Sequence, residues 1–326
     1  MFSFGRSKRV ANIVVDNYVV RIVENNGKDL SSITTLAEKM IPQGTIQNGR
    51  IVDELAFYEL MKDIVQELKL KNKQARFYVP KEIVIMRDVE LPADVKENEV
   101  KQYITMEIGH TIHFPFKHPI FDVYDVPQEN KESNKVTIVA APEDELMKYT
   151  QIFSDVHLKP TAVGVHPIGV YRYFLHQQKE LQKDKVYFLL ELNLVSANIS
   201  IFQDHLLEFL RFQSMNITRE DWDASNERPL RYTFTGNQVQ LDGEIEDLLN
   251  EMERLMNFYR FSMHQGDKAI TDIILLGDFP FLKEVGEKLE RFNLPVTIMD
   301  VEQSFEQEGM SRSFIPALGL ALKGGK

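Results

Sequence analysis

Apolar and polar positions alternate through the first part of the chain in a way that predicts strands followed by a helix. Residues 10 to 41 read as three strands, and Asp16 and Asn17 are expected in a tight hairpin because both residue types tolerate left-handed backbone angles. After the candidate N-cap Asp53, apolar residues recur at i, i+3, i+4, i+7 and i+11, which predicts a helix with one apolar face. Residues 75–79 then return to a strand.

A second unit is predicted after residue 80, where the pattern gives a strand and then an amphipathic helix over residues 95–108. The polar stretch 128–135 separates two further strands, as a hairpin loop would, and a helix over residues 143–156 closes the unit. A strand, a helix, two strands and a helix in this order predict a small α+β insert within a larger fold.

The last part of the chain repeats the organisation of the first. Three strands are predicted from residue 186 onwards, and a polar, irregular stretch follows them. Past Gly243, eight apolar residues share one helical face, which is the clearest periodic signal in the chain. Strands and helices then alternate to the end of the sequence. Two related halves are therefore expected, each a set of hairpin-connected strands with crossover helices.

These units divide the chain into two core domains and one insert. The first core domain comprises residues 1–80 and 161–185, and the insert comprises residues 81–160. The second core domain comprises residues 186–326, and residues 214–262 are expected to form its smaller subdomain. The insert thus interrupts the first half of the chain.

Composition and charge exclude several classes of protein. The chain has 326 residues, 43% hydrophobic and 27% charged, a balance that suits a globular protein and excludes a largely disordered one. A formal charge of −11 argues against sequence-independent nucleic-acid binding, which needs clustered cations. The lack of cysteine excludes disulfides, zinc thiolate sites and cysteine nucleophiles. No apolar run approaches the roughly 18 residues that span a bilayer, so we expect a soluble or peripheral protein of the cytoplasm.

The residues show no signature of an enzyme or of a metal site. The sequence lacks the G-x-S-x-G nucleophile elbow and the G-x-x-x-x-G-K phosphate loop. Three histidines lie close together in the chain, His110, His113 and His118. Their spacing is not specific for a metal site, and Pro115 interrupts the segment. Ordinary packing or surface histidines are therefore favoured over metal ligands. We therefore predict no catalytic residues and no metal ligands.

Six segments in a specific order carry a resemblance to a known family. They read IPQGTIQNGRIVDELAFYELMKDIVQELKLK, RFYVPKEIVIMRDVELP, VTIVAAPEDEL, HLKPTAVGVHPIGVYR, PVTIMD and FIPALGLALKG. Together they resemble the PilM-type proteins of type IV pilus assembly, which are actin-like and related to the division protein FtsA. The resemblance covers nearly the whole chain, although none of its segments is a catalytic motif.

The resemblance implies a fold and a place of action. The implied fold is α/β and actin-like (ribonuclease H-like), with two domains around a nucleotide cleft and a small α+β insert used for partner contacts. PilM-like proteins bind the short cytoplasmic N-terminal tail of the membrane protein PilN. We therefore expect a non-catalytic cytoplasmic adaptor, peripheral to the inner face of the cell membrane, whose partner is a PilN-like single-span protein.

The first phosphate loop of the family is poorly matched in this chain. That loop reads approximately Asp, aliphatic, Gly, Ser and ends in an aliphatic residue with Lys or Arg. Here the matching ending is Val20 and Arg21. A gapless placement then puts Val14 where the acid should be, and Asp16 and Asn17 at the positions of the glycine and its neighbour. A gap could restore Asp16 as the acid, but no glycine would follow it.

The other two nucleotide motifs also depart from the family pattern. The second phosphate loop should read Asp, aliphatic, Gly, whereas this chain has Glu191 and Asn193 at the outer positions. A run of glycines is expected in the adenosine motif, but Gly277 stands alone and Asp278 follows it. Because glycine lets backbone N–H groups approach phosphate oxygens, these replacements weaken a triphosphate site. We predict a pseudo-ATPase that needs neither ATP nor Mg²⁺.

Three readings of the function stay open. The favoured reading is the non-catalytic adaptor, in which the cleft residues are turns inherited from a nucleotide-binding relative. The second is an actin-like protein of pilus assembly whose divergent cleft binds ATP through unusual residues, with Glu191 holding Mg²⁺. The third is an FtsA-like filament protein of cell division, which the short terminal helix with Pro316 and Gly319 disfavours because it makes a poor membrane anchor.

A partner-binding groove is expected, by resemblance, between the first core domain and the insert. Its candidate residues are Tyr103, Ile104, Ile108, Phe114 and Phe116. These aromatic and aliphatic side chains would receive the aliphatic residues of an extended peptide. The alternative is that they pack in the core of the insert itself.

Overall fold

The computed structural model describes residues 9–27, 29–92, 94–124, 135–178, 182, 184–225, 227–302 and 310–323. The strands are β1 (Val10–Val15), β2 (Val19–Asn25), β3 (Ile33–Met40), β4 (Ile46–Gln47), β5 (Arg50–Ile51), β6 (Gln74–Tyr78), β7 (Ile85–Glu90), β8 (Pro119–Tyr124), β9 (Lys135–Pro142), β10 (Lys159–Gly164), β11 (Val186–Leu192), β12 (Ser196–Gln203), β13 (Leu206–Ser214), β14 (Trp222–Ala224), β15 (Tyr232–Phe234), β16 (Asp272–Leu276) and β17 (Val296–Ile298). The α-helices are α1 (Glu54–Glu67), α2 (Val100–Glu107), α3 (Glu143–Asp155), α4 (His166–Gln177), α5 (Gln238–Asn257), α6 (Leu282–Leu289) and α7 (Ile315–Ala321). The hairpin loop predicted at 128–135 lies, except for Lys135, outside the described residues.

The first half of the chain builds a five-stranded sheet in the order β10-β6-β1-β2-β3. β1, β2 and β3 form an antiparallel meander, whereas β6 and β10 add in parallel on the other side. The strands predicted within residues 10–41 and at 75–79 are confirmed. Asp53 caps α1 as predicted, because its side chain accepts a hydrogen bond from the N–H of Ala56 at 2.9 Å.

Helices α1 and α3 cover one face of this sheet. Phe57 of α1 packs edge-on against Tyr149 of α3, with ring centroids 5.7 Å apart, and Phe153 packs on Phe77 of β6 at 5.0 Å. Parallel strands need crossover connections, and α3 supplies one of them before β10. Both α3 and β10 therefore belong to the first half, although the boundary expected at residue 160 placed α3 in the insert.

The insert is a three-stranded antiparallel sheet in the order β7-β9-β8, with α2 packed on it. It has its own small core, in which Val100 and Ile104 of α2 pack with Val89 and Ile138 of the strands. The structured insert thus runs from β7 to β9 and ends where α3 begins. The α+β character expected from the sequence is confirmed, over a shorter range.

The second half builds a sheet in the order β13-β12-β11-β16-β17. β11, β12 and β13 form an antiparallel meander, and β16 and β17 add in parallel beside β11. This is the same arrangement of strands as in the first sheet. The two related halves predicted from the sequence are therefore confirmed.

Residues 214–262 do not form a core separate from the second sheet. Leu248 and Met252 of α5 belong to the same buried cluster as Phe188 of β11, and Trp222 of β14 belongs to it as well. The smaller subdomain expected from the sequence is therefore reduced to the β14–β15 hairpin and its flanking loops, while α5 is part of the main domain.

Helices α4 and α7 lie between the two sheets and join the halves. Their residues share one buried cluster with Val14 of β1, Leu189 of β11 and Ile274 of β16. The helices approach so closely that a Cβ added at Gly319 of α7 would lie 2.0 Å from the carbonyl oxygen of Gly169 in α4. No described helix combines the length and the apolarity that crossing a bilayer requires.

Candidate functional site

Two hairpin turns and one loop converge between the sheets and form a cleft. The turns connect β1 to β2 and β11 to β12, and the loop follows β16. In the first turn the N–H of Asp16 donates to the carbonyl of Val19 at 2.9 Å, so the central turn residues are Asn17 and Tyr18. The tight hairpin predicted at Asp16 and Asn17 is confirmed, but neither residue adopts a positive φ, so it forms without the left-handed conformation that both residue types tolerate.

A buried group of charges joins the two halves at the bottom of the cleft. Lys81, which follows β6, has its Nζ 2.7 Å from Oδ1 of Asp16 and 3.6 Å from Oε1 of Glu191. Glu191 is the penultimate residue of β11 in the other half, and its Oε2 lies 2.7 Å from Nε2 of His166 at the start of α4. The side chains of Asp16, Lys81, Glu191 and His166 are all at most 7% exposed. The ammonium of Lys81 therefore bridges one carboxylate from each half.

A second buried group of charges lies next to the first. Nη2 of Arg21 in β2 lies 2.5 Å from Oδ2 of Asp278 in the second half, and Nε of Arg21 lies 3.0 Å from Oε2 of Glu38. Nη1 of the same guanidinium is 3.5 Å from Oδ2 of Asp16, which links the two groups. The hydroxyl of Tyr18 donates to the carboxylate of Asp278 at 2.7 Å. Asp278 is thus held by two residues of the opposite half.

The charges in these groups favour one another's ionised forms. Burial alone would raise the pKa of Glu191, but the neighbouring His166 and Lys81 outweigh it and hold the pKa of this carboxyl well below its ordinary value. Burial also opposes the charge on Lys81, whereas the carboxylates of Asp16 and Glu191 raise the pKa of the ammonium. Burial and the charge of Asp278 raise the pKa of Tyr18, so its hydroxyl remains a donor.

The remaining cleft residues predicted from the sequence have structural partners of their own. Asn193 donates to Oε1 of Glu191 at 3.2 Å and accepts from the N–H of Asp278 at 3.4 Å. Gly277 has a φ of +123°, and a Cβ there would lie 1.9 Å from the carbonyl oxygen of Leu192. Asn17 accepts from the N–H of Gly49 at 3.0 Å and is not part of the charged groups.

Five of the six predicted cleft residues are therefore brought together, and several essential neighbours were missed. The missed residues are Tyr18, Glu38, Lys81 and His166, while Arg21 was recognised only as the end of a loop motif. Lys81 offers one sequence signal, since a lysine directly after a buried strand and Pro80 is unusual in an apolar context. Nothing in the sequence connects it to Glu191, which lies 110 positions away.

The hairpin of β14 and β15 crosses the outer side of the cleft. The N–H of Leu230 donates to Oε1 of Glu38 at 2.6 Å, and Nη2 of Arg228 lies 3.2 Å from Oε1 of Glu67. The ring of Tyr232 meets that of Tyr18 edge-on with centroids 6.0 Å apart. Contacts at the outer side thus reinforce the buried ion pairs.

A cavity of about 540 Å³ remains beside Arg21, on the side of the loop that follows β16. Its walls include Gly277, Asp278 and Tyr232 together with the cations Lys283 and Arg312. The two charged groups of the cleft contain four carboxylates against two permanent cations, Arg21 and Lys81. A polyphosphate entering between the two turns would therefore meet a surplus of negative charge and would have to displace existing ion pairs.

A second concave site, here called the groove, lies between the insert and the first half. It has a volume of about 630 Å³ and is walled on one side by Ile120 and Phe121 of β8 and on the other by Gly164, Ile168 and Leu320. Both β8 and β10 are edge strands, so each has one side without a neighbouring strand of its own sheet. The groove lies where the resemblance placed a partner site.

The residues proposed for that partner site do not line the groove, and their part in binding a partner stays a prediction. Ile104 is fully buried in the core of the insert, and Tyr103, Ile108 and Phe114 pack around that core. Phe116 stacks on Phe114 with ring centroids 5.4 Å apart. The apolar face of α2 is buried within the insert itself, and Lys101 is the one residue of this helix that lines the groove. The alternative role in the core of the insert is observed for Ile104 and, at the edge of that core, for Tyr103, Ile108 and Phe114.

Comparisons with known proteins agree with this architecture. The sequence model of a family described as type IV pilus assembly protein PilM matches residues 13–217. Among solved structures, the chain is similar to a PilM-PilN type IV pilus biogenesis complex, with 17% identity, a TM-score of 0.73, and coverage of 97% of this chain and 98% of that one. It is also similar to MreB5 of Spiroplasma citri bound to ADP, with 8% identity, a TM-score of 0.50, and coverage of 98% and 97%. These likenesses confirm the actin-like fold. No sequence among curated proteins matches the chain.

Proposed function

The chain belongs to the PilM family of type IV pilus assembly proteins, and from that premise we propose that it is a non-catalytic adaptor of a type IV pilus or of a related competence or secretion apparatus. It binds the cytoplasmic tail of a PilN-like inner-membrane protein in the groove between the insert and the first half. It acts in the cytoplasm, at the inner face of the membrane, and reaches that face through its partner.

The observation that carries the non-catalytic role is the pair of charged groups in the cleft. In a nucleotide-binding cleft, backbone N–H groups of glycine-rich turns and a bound metal compensate the phosphates. Here the side chains of Lys81 and Arg21 are compensated by carboxylates from both halves. Binding a triphosphate would leave several of these buried charges without partners, and an unpaired buried charge is costly.

The shape of the groove supports the role of adaptor. Its apolar walls and its two flanking edge strands suit an extended peptide, which adds backbone hydrogen bonds at a sheet edge and places alternate side chains in pockets. The similar solved structure is described as a PilM-PilN complex. A PilN-like tail is therefore the partner that we assign to this chain.

Two titrations of the purified chain test the proposal. A synthetic peptide of the cytoplasmic tail of the PilN-like protein from the same genome should bind with an affinity that calorimetry can measure. Mg-ATP should give no saturable heat in the same instrument at millimolar concentration. The absence of peptide binding would reject the adaptor role, and micromolar binding of Mg-ATP would reject a cleft closed to nucleotide, on which the argument for the non-catalytic role depends.

One observation favours a second candidate, an actin-like protein that binds ATP. The cavity of about 540 Å³ next to Gly277 carries the cations Lys283 and Arg312 in its wall. This candidate requires the ion pairs of Asp278 and Lys81 to open when nucleotide enters. The Mg-ATP titration therefore separates the two candidates directly.

A further inference from the structure

Three cations at one end of the groove have no carboxylate partner within the part of the chain that the structure describes. They are Arg76 of β6, Arg172 of α4 and Lys323, which follows α7. Arg172 and Lys323 line the groove, and Arg76 lies behind them. The one carboxylate in the lining, Asp122, is on the opposite wall, 3.6 Å from Nζ of Lys101.

Backbone carbonyls hold these three side chains in place. Nη1 of Arg172 donates to the carbonyl of Gly319 at 2.9 Å, and Nη1 of Arg76 donates to that of Lys323 at 2.7 Å. Nζ of Lys323 donates to the carbonyl of Val163 at 3.0 Å. The carbonyl of Gly319 belongs to the last turn of α7 and that of Lys323 lies just beyond this helix end, where the helix dipole favours positive charge. The cations are thus positioned before any ligand arrives.

Each cation keeps hydrogen-bond donors that these contacts do not use. A guanidinium has five N–H groups and an ammonium has three, whereas each of the three side chains makes a single hydrogen bond among the described residues. Their charges also oppose one another. Burial and the charges of Arg172 and Arg76 lower the pKa of Lys323 and outweigh the opposite effect of Asp122, and burial and the charge of Arg172 lower the pKa of Arg76. A bound anion would relieve this repulsion.

We infer that Arg172 and Lys323, supported by Arg76, form a carboxylate-binding site at the end of the groove, and that it takes an acidic side chain of the extended peptide that the groove binds. This inference rests on the proposed function, since it specifies the peptide that fits the groove. A peptide is favoured over a free anion because the cations adjoin an apolar wall of Ile168 and Leu320. The ligand therefore combines aliphatic residues with one Asp or Glu.

The test measures the binding of two peptides to the full chain by fluorescence anisotropy. One is the fluorescein-labelled cytoplasmic tail of the PilN-like protein from the same genome, and the other has each Asp and Glu of that tail replaced by Asn or Gln. Hydrogen bonds to charged groups contribute enough to predict that the amide peptide binds about 10-fold to 100-fold more weakly. Arg172→Gln should weaken the acidic peptide by a similar factor and leave the affinity for the amide peptide within about twofold.

The controls separate charge recognition from folding. Arg254→Gln removes an exposed guanidinium of α5 that lies outside the groove, and it should leave both affinities unchanged. Lys323→Gln repeats the test at a second position in case the Arg172→Gln variant does not fold and therefore shows no melting transition. Equal binding of the acidic and amide peptides, or a tail without any acidic residue, would overturn the carboxylate site while leaving the adaptor role intact. If neither peptide binds, both proposals fall.

Discussion

Lys81 and Glu191 lie in opposite halves of the molecule, and their charged groups are 3.6 Å apart in its interior. The same ammonium is 2.7 Å from Asp16, so one lysine compensates a carboxylate of each half. Burying an unpaired charge costs far more than burying a paired one. The relative position of the two halves is therefore coupled to these three side chains.

Lys81→Met should destabilise the protein by about 3–5 kcal/mol, because it leaves Asp16 and Glu191 buried without their shared cation. Urea unfolding followed by circular dichroism measures the change in the free energy of unfolding. Lys62→Met is the matched control, since the ammonium of Lys62 is exposed and pairs with Glu59 on the surface of α1. A Lys81 variant as stable as this control would show that the buried pair contributes nothing.

The pH dependence of stability should reveal the state of Glu191. Its pKa is lowered in the folded protein, so its contribution to stability is complete above the ordinary value of 4.5 and is lost as the pH falls below it. Wild type should therefore lose stability between pH 5 and pH 3 more steeply than Glu191→Gln does. The difference in urea midpoint between the two proteins, measured at each pH, should shrink on acidification. A difference that stays constant would contradict a charged Glu191.

Gly277→Ala should destabilise the chain by about 2–4 kcal/mol, because a side chain there is strained at a φ of +123° and meets the carbonyl of Leu192. The loss of stability comes from the close contact between the loop after β16 and the end of β11, and it does not depend on a bound phosphate. Gly243→Ala provides the contrast, since a Cβ at that position in α5 has open space and should stabilise the helix by about 0.5–1 kcal/mol. Thermal melting of both variants measures the two changes. Equal effects would refute the close approach at Gly277.

Ile120→Asp should weaken binding of the PilN-like tail about 10-fold to 100-fold, because it places a charge on the apolar wall of the groove. The side chain is 43% exposed, so folding should be preserved. Met106→Asp is the control on the same insert, since Met106 is 59% exposed on α2 and does not line the groove. Calorimetric titration of both variants compares them. Equal losses would place the peptide elsewhere on the insert.

Much of the fold could be predicted from the sequence because apolar periodicity defines local elements. Local residue patterns were enough to predict three features, the meander β1–β3, the cap at Asp53 and the long helix α5. The boundary of the insert could not be found in this way. The apolar face of α3, which includes Tyr149 and Phe153, is equally visible whether it covers the insert or the first sheet.

The candidate sites were less accessible to sequence reasoning because their residues are distant in the chain. Motif comparison located Glu191, Asn193 and Asp278, since each stands at a turn that the family pattern marks. It could not locate Lys81 or His166, whose roles depend on how two halves meet in space. A cavity does lie between the insert and the first half, but the aromatic residues predicted for its wall do not line it, because such residues are as useful to a small core as to a binding wall.

The crossing of α4 and α7 at Gly169 and Gly319 has a consequence for how the molecule could be loosened. At this crossing there is no room for even one methyl group. A side chain at Gly319 would push α7 away from α4 and lengthen the distances between oppositely charged groups in the cleft, whereas a side chain at Gly169 would collide with the ring of Tyr78. The absence of a side chain at Gly319 thus permits the close helix contact that keeps the two halves at the distance their ion pairs require.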